Sequence, residues 1–270
     1  MASSRSAGRA PAVLAALAVA LMAAFVAGPR VLAASGPGGG FHDEGDLTGA
    51  ARSAFAGYRR SGDRALTTDL ARVVDYWFRY HVAKAAFAAI LLIVLVPLGV
   101  LLWRAFLRPG GAWGRAALAS AGTLVTMIGL FAAAAVMANV QGAVAPFAAL
   151  LPMATGGATG RELAGTLDRH LRGGPATPAL EAMIDDFSRF HVAMAVVATV
   201  VAVVLAGLSV VAWRGFARTA SSERRSRRVS GSYGVLSAVS ALAVIVVAVA
   251  NTTTAANPAP ALLALLNGGW

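Results

Sequence analysis

The chain has 270 residues, of which 58% are apolar and 13% are charged, and its mean hydropathy is +0.69. An ordinary soluble domain carries about 25% charged residues, so this composition excludes a single large water-soluble globule. The sequence contains no cysteine, which excludes disulfides, thiolate metal sites and covalently attached c-type haem. A net charge of +11 on its own suggests a nucleic-acid partner, but the positions of the charges along the chain decide that question.

The first apolar run, residues 11–27, has the features of a secretory signal. It follows a short segment whose charges are Arg5 and Arg9, and small residues come after it, which predicts cleavage after Ala33. Arg30 is unfavourable in a cleavage region, so retention as a fifth membrane helix is the alternative. Residues 1–34 are therefore assigned as a signal peptide or signal-anchor helix, and residues 35–64 as an extracytoplasmic segment.

Four further apolar runs predict membrane-spanning helices. Each is close to the roughly 20 residues that cross about 30 Å of hydrocarbon. Buried helices of soluble proteins are seldom this long and this free of charge. The sequence therefore predicts an all-α polytopic membrane protein with spans at residues 82–102, 116–136, 192–212 and 235–249.

Basic residues are concentrated in three short segments: the N-terminus and the connections after the first and third of these four runs. The three segments hold 11 of the 23 basic residues and one acidic residue, Glu223. Short basic segments face the cytoplasm, so the longer segments and the C-terminus are predicted to lie outside a bacterial cytoplasmic membrane. The rest of the chain has a net charge of +1, so the excess charge indicates orientation and contact with anionic lipid, and no nucleic-acid partner is predicted.

The second half of the chain repeats the first. Residues 75–83 match residues 185–193 at an offset of 110, and beyond the next basic connection Asn139 matches Asn251 at an offset of 112. Rare residue types stay in register, so the sequence predicts repeat 1 at residues 65–152, a linker at 153–174 and repeat 2 at 175–270. Two spans per repeat give parallel copies, which predicts a four-helix transmembrane bundle with a pseudo-two-fold axis along the membrane normal.

Local signals place the first helix of each repeat. Thr177 before Pro178 predicts an N-cap with proline at the first helical position, and Thr67 occupies the matching place in repeat 1. Further along these helices, i,i+4 spacing predicts ion pairs between Asp75 and Arg79 and between Asp185 and Arg189.

Eight polar residues are predicted to form a layer near the outer membrane boundary. The equivalent histidines could ligate one haem b from opposite faces, with the two arginines near its propionates. The simpler interpretation is that these side chains settle at headgroup depth, and that the lone lysine reaches outward to do so. The layer consists of Arg79, His81, Lys84, Asn139, Gln141, Arg189, His191 and Asn251.

A Ser/Arg-rich connection, residues 221–228, is predicted to contact lipid headgroups through Arg224, Arg225, Arg227 and Arg228. The sequence has no metalloprotease, phosphate-loop, nucleophile-elbow or zinc-finger spacing, so no catalytic residue, metal site or firm cofactor is predicted.

The motif Trp77-x-Arg79-Tyr80-His81-Val82, and residues 137–143, resemble those of uncharacterised multi-pass membrane proteins of GC-rich actinobacteria. Such proteins often carry a twin-arginine-type signal, from which this sequence departs because Arg5 and Arg9 are not adjacent. The resemblance implies no activity.

Three hypotheses follow for function. The first is a non-enzymatic integral membrane protein that is structural, envelope-associated or partner-binding. The second is a transport or channel-like module at the pseudo-two-fold interface, and the third is a membrane haem b protein for electron transfer.

Overall fold

The computed structural model describes residues 9–108 and 111–269, and this part of the chain is built from nine helices without a strand. In chain order the helices are α1 (Arg9–Ala34), α2 (Glu44–Ser61), α3 (Thr68–Leu107), α4 (Ala112–Val144), α5 (Pro146–Ala154), α6 (Ala158–Leu171), α7 (Pro178–Arg218), α8 (Arg224–Ala256) and α9 (Pro258–Leu266).

Five of these helices, α1, α3, α4, α7 and α8, are long and apolar enough to cross a membrane. Each of the five apolar runs in the sequence falls inside one of them. The prediction of an all-α polytopic membrane protein is therefore confirmed.

The helix bounds follow the offsets between the two sequence repeats. Helices α3 and α7 begin 110 residues apart, α4 and α8 begin and end 112 residues apart, and α5 and α9 begin 112 residues apart. The structure also contains a helix before the first span of each repeat. These two helices, α2 and α6, lie where the sequence predicted only an extracytoplasmic segment and a linker. In both halves this added helix packs on the last helix of its half, α2 on α5 and α6 on α9.

The described residues divide into two compact units. Unit 1 comprises residues up to 28 together with 84–137 and 198–246, and it contains the apolar lengths of the five long helices. Its buried core is small and joins α1, α3 and α4 through Ala18, Leu91, Leu95 and Ala132. Large apolar side chains such as Ile93, which is 70% exposed, cover its outside, and a continuous apolar surface of this kind suits a hydrocarbon environment.

Glycines in unit 1 let two tryptophans pack on helix backbone. A Cβ atom at Gly122 would lie 2.9 Å from Cε2 of Trp103, and a Cβ atom at Gly234 would lie 2.9 Å from Cε2 of Trp213. These two contacts occupy equivalent places in the two repeats. They illustrate how small residues allow close helix approach where lipid offers no hydrophobic driving force.

Unit 2 comprises residues 29–83, 138–197 and those from 247 onward, and it has a single extended core. Side chains from both repeats meet in it, including the fully buried Phe55, Tyr58, Leu151, Leu167 and Leu262. Burying one such side chain contributes about 1.5–3 kcal/mol. Unit 2 is therefore a folded helical domain, whereas the sequence predicted only helical overhangs and connecting segments there.

The two predicted N-caps differ. Thr177 Oγ1 accepts a hydrogen bond from the Leu180 backbone N–H at 3.2 Å, which confirms this cap. Thr67 uses only its carbonyl, which accepts from the Ala71 N–H at 2.8 Å, because its hydroxyl is buried and has no hydrogen-bond partner. The side-chain cap predicted from the matching position of Thr67 is therefore wrong.

Candidate functional site

Each repeated histidine lies beside the repeated asparagine of the next helix in unit 2. His81 Nδ1 is 2.9 Å from Asn139 Oδ1, and His191 Nδ1 is 2.7 Å from Asn251 Oδ1. An amide oxygen can only accept, so each histidine donates from a protonated Nδ1. The two pairs tie α3 to α4 and α7 to α8 by the same contact, so they have a structural role in both repeats.

Two further amide contacts complete this polar layer. Gln141 is 7% exposed, and its Nε2 donates to the Phe190 carbonyl at 3.2 Å, which links α4 of repeat 1 to α7 of repeat 2. The Asn251 Nδ2 donates to the Val247 carbonyl at 2.8 Å. Gln141 is thus a buried amide whose hydrogen bond fixes helix packing, whereas Asn251 is half-buried and bonds within α8.

The His81 ring is closely packed against α4 and two aromatic side chains. A Cβ atom at Gly142 would lie 2.7 Å from both Cε1 and Nε2 of His81, so the Nε2 edge of the ring rests on the α4 backbone. Trp77 and Tyr80 contact the ring edge-on, with centroids 4.9 and 5.8 Å away. These contacts and the hydrogen bond to Asn139 account for the position of His81 through helix packing. Within the described residues, no group of three metal-ligating side chains is present.

The ion pairs of the two repeats differ. Arg79 Nη2 lies 2.5 Å from Asp75 Oδ2, so the predicted i,i+4 pair forms in repeat 1. The predicted pair between Asp185 and Arg189 is wrong, because Asp185 pairs with Arg64 in the α2–α3 connection. Arg189 pairs instead with Asp186, at 3.2 Å.

Asp186 is a buried acidic residue whose role the sequence does not indicate. Its side chain is 13% exposed, and Oδ2 accepts a hydrogen bond from the Ala148 backbone N–H at 2.8 Å in the first turn of α5. Ala145, which precedes α5, offers no side-chain cap, so Asp186 of α7 caps this helix from outside. Burial raises the pKa of Asp186, while the Ala148 N–H and the charge of Arg189 oppose that rise.

Lys84 belongs to unit 1, whereas the other seven residues of the predicted polar layer belong to unit 2. The Lys84 ammonium lies over the ring of Phe25 in α1, with Nζ 5.1 Å from the ring centroid. Cation–π contacts of this kind contribute about 0.5–2 kcal/mol. Lys84 thus helps to hold α1 against α3.

An aromatic cleft opens between the end of α1, the segment that follows it, α2, α3 and α5, and all of its lining belongs to unit 2. Its volume is about 100 Å³. Phe41 and Tyr76 meet edge-on with centroids 4.8 Å apart, and Trp77 and Tyr80 stack at 5.1 Å. Arg30 also lines the cleft, and the buried Trp77 Nε1–H has no hydrogen-bond partner. We name this site the aromatic cleft.

The predicted Ser/Arg-rich connection is shorter than expected. Helix α8 begins at Arg224, so all four arginines lie in its first two turns. Arg225 and Arg228 line a cavity in unit 1, and the Arg227 guanidinium lies 4.4 Å from the ring centroid of Phe216. Helical spacing thus separates side chains that the sequence grouped together.

No protein-family model matches the chain, and neither the curated proteins nor the solved structures include a significant match.

Proposed function

We propose that the chain is a non-catalytic integral protein of a bacterial cytoplasmic membrane that holds unit 2 outside the membrane to bind a protein partner. Five apolar helices support the membrane location. The two repeated histidines of unit 2, His81 and His191, are engaged in helix packing, which favours a binding role for this polar layer over catalysis.

The aromatic cleft is the observation that carries the partner-binding proposal. Small-molecule sites commonly have volumes of about 300–1,000 Å³, and the cleft has about 100 Å³, which suits one inserted side chain. Trp and Tyr are the residues that most often dominate protein interfaces.

Orientation is part of the same proposal. The basic segments around Arg104 and Arg108, and around Arg224 to Arg228, lie at the ends of long apolar helices, as expected for the cytoplasmic side. Most acidic residues of the chain, including Asp63 and Glu162, belong to unit 2. This distribution supports an outside location for unit 2 and for the C-terminus.

We further infer that the two halves arose by duplication and that each copy includes an added helix, α2 or α6. Helices α4 and α8 have 33 residues each, and α5 and α9 have nine each. The two Trp–Gly contacts, the two His–Asn pairs and the packing of α2 on α5 and of α6 on α9 also support this interpretation. It extends the repeat from the two spans predicted from the sequence to four helices.

We also infer that α1 is retained as a signal anchor. Ala33, the predicted cleavage position, is completely buried in the core of unit 2, and α1 runs without a break from Arg9 to Ala34. A Cβ atom at Gly28 would lie 2.7 Å from the Phe87 ring, so α1 also packs closely on α3. Cleavage after Ala33 would remove these contacts.

Site-specific photo-crosslinking in cells tests the partner-binding proposal. A benzophenone amino acid at Phe41 or Tyr80 is expected to give a light-dependent adduct with one protein. The same group at exposed Ala65, in the α2–α3 connection, is the matched control and should give no such adduct. Absence of adducts from both cleft positions, in protein shown to be inserted in the membrane, would contradict the proposal.

A further inference from the structure

Unit 1 contains a cavity of about 620 Å³ between α3, α4 and α8. Trp103 and Tyr233 form one wall, with ring centroids 5.7 Å apart and the rings edge-on. Thr126 donates to the Gly122 carbonyl at 2.7 Å, so the 2.6 Å contact between Thr126 Oγ1 and the Tyr233 hydroxyl has tyrosine as donor. The Trp103 Nε1–H is buried and has no hydrogen-bond partner.

The rim of the cavity is basic and its wall is mainly apolar. Arg115, Arg225 and Arg228 line it, and the last two have exposed side chains one helical turn apart on α8. Among the described residues that line the cavity, none is acidic. Phe106 and Leu236 line the apolar part.

The cavity lining departs from the internal repeat in the residues that α4 contributes. Thr123 and Thr126 line it in repeat 1, and at the offset of 112 their counterparts are Val235 and Ala238. The two threonines of α4 thus have apolar counterparts in α8, although the Trp–Gly packing beside them is common to both repeats.

We propose that this cavity binds an anionic membrane phospholipid, with its phosphate at Arg115, Arg225 and Arg228 and an acyl chain along the apolar wall. Arginine binds phosphate oxygens through paired N–H groups, and basic pockets between membrane helices on the cytoplasmic side bind lipid headgroups. A free phosphate ion would leave the apolar wall without a partner. A volume of about 620 Å³ also falls in the range of sites that enclose small ligands.

Native mass spectrometry of the full chain in detergent tests this site. Three probes are titrated: phosphatidylglycerol, phosphatidylcholine and inorganic phosphate. Wild type is expected to bind one phosphatidylglycerol molecule with an affinity at least about tenfold higher than for the other two probes. Arg225→Gln/Arg228→Gln is expected to lower that affinity about tenfold or more, because two phosphate contacts are lost.

Arg224→Gln/Arg227→Gln is the matched control, because it removes the same charge from the same helical turns without removing a residue of the cavity lining. It should retain nearly wild-type affinity. Equal losses in the two double variants would show that surface charge alone binds the lipid and would overturn the proposal. Equal binding of phosphatidylcholine, or equal binding of inorganic phosphate, would overturn the choice of ligand.

A second variant tests the apolar part without changing charge. Ala119 lines the cavity, so Ala119→Phe is expected to fill it and to weaken phosphatidylglycerol binding at least about fivefold. Unchanged binding in Ala119→Phe would place the lipid outside the cavity.

Discussion

Removing the side chain of Asp186 is expected to loosen α5. In the native structure the Asp186 carboxylate accepts from the Ala148 N–H at 2.8 Å, and no side chain within α5 can replace it. A buried donor that loses its acceptor costs about 1–3 kcal/mol. Every 1.4 kcal/mol corresponds to a tenfold change, so amide exchange at Ala148 in Asp186→Ala should rise roughly five- to a hundredfold.

Hydrogen–deuterium exchange with mass spectrometry, on the full chain in detergent micelles, measures this effect in peptides that cover α5. Asp185→Ala is the matched control, because Asp185 is adjacent, 54% exposed and paired with Arg64 at the surface. Surface ion pairs contribute about 0–1 kcal/mol, so the control should change α5 exchange little. Unchanged α5 exchange in Asp186→Ala, or an equal rise in both variants, would refute the capping role.

Three further predictions concern stability and processing. Burial raises the pKa of Asp186, so the ionised carboxylate lowers the free energy of unfolding at a pH above the folded-state pKa. This loss becomes smaller as the pH falls from the folded-state pKa to the unfolded-state pKa. Asp186→Asn keeps an acceptor oxygen without the charge, so its melting temperature should exceed that of wild type at pH 7, and the difference should shrink towards about pH 4. A difference in melting temperature that does not change with pH would contradict the raised pKa. Gly142→Ala should lower the free energy of unfolding by about 1–3 kcal/mol, because the added Cβ would lie 2.7 Å from the His81 ring. Thermal unfolding measures this loss. Gly129→Ala, with no neighbour closer than 4.0 Å, should be neutral or slightly stabilising, and equal melting of the two variants would disprove this explanation. Intact mass spectrometry of membrane-inserted protein should show that α1 is retained, and a mass matching cleavage after Ala33 would contradict the anchor.

The membrane helices could be predicted because their signal is local. Length and the absence of charge are properties of each run alone, and all five runs lie in long helices. Helix α2 was missed because its mixed composition resembles a polar connection, although its signals are present. Asp43 accepts from the Asp46 N–H at 2.8 Å as N-cap, and Gly62 ends the helix in the left-handed conformation at φ 71°. These caps, together with the spacing of Leu47 and Phe55, are the sequence features that predict α2.

The contacts of the candidate site depend on packing between helices, which the sequence does not specify locally. The repeat predicted that His81 and His191 are equivalent and placed Asn139 and Asn251 in the same polar layer. It did not predict that each histidine pairs with an asparagine 58 or 60 residues later in the chain. Asp186 caps a helix 38 residues away, and no residue beside α5 signals that contact. The aromatic cleft and the cavity in unit 1 likewise assemble side chains from separate helices, so no single stretch of sequence indicates either site.

The central claim is that unit 2 lies on the outer side of the membrane and that α8 begins on the cytoplasmic side. Cysteine labelling tests this claim most directly. The chain has no native cysteine, so Ala65→Cys in unit 2 and Ser222→Cys just before α8 each give a single exposed thiol. A membrane-impermeant maleimide should label Ala65→Cys in intact spheroplasts and Ser222→Cys only after permeabilisation. Labelling of Ser222→Cys in intact spheroplasts, with Ala65→Cys protected, would contradict the proposed orientation.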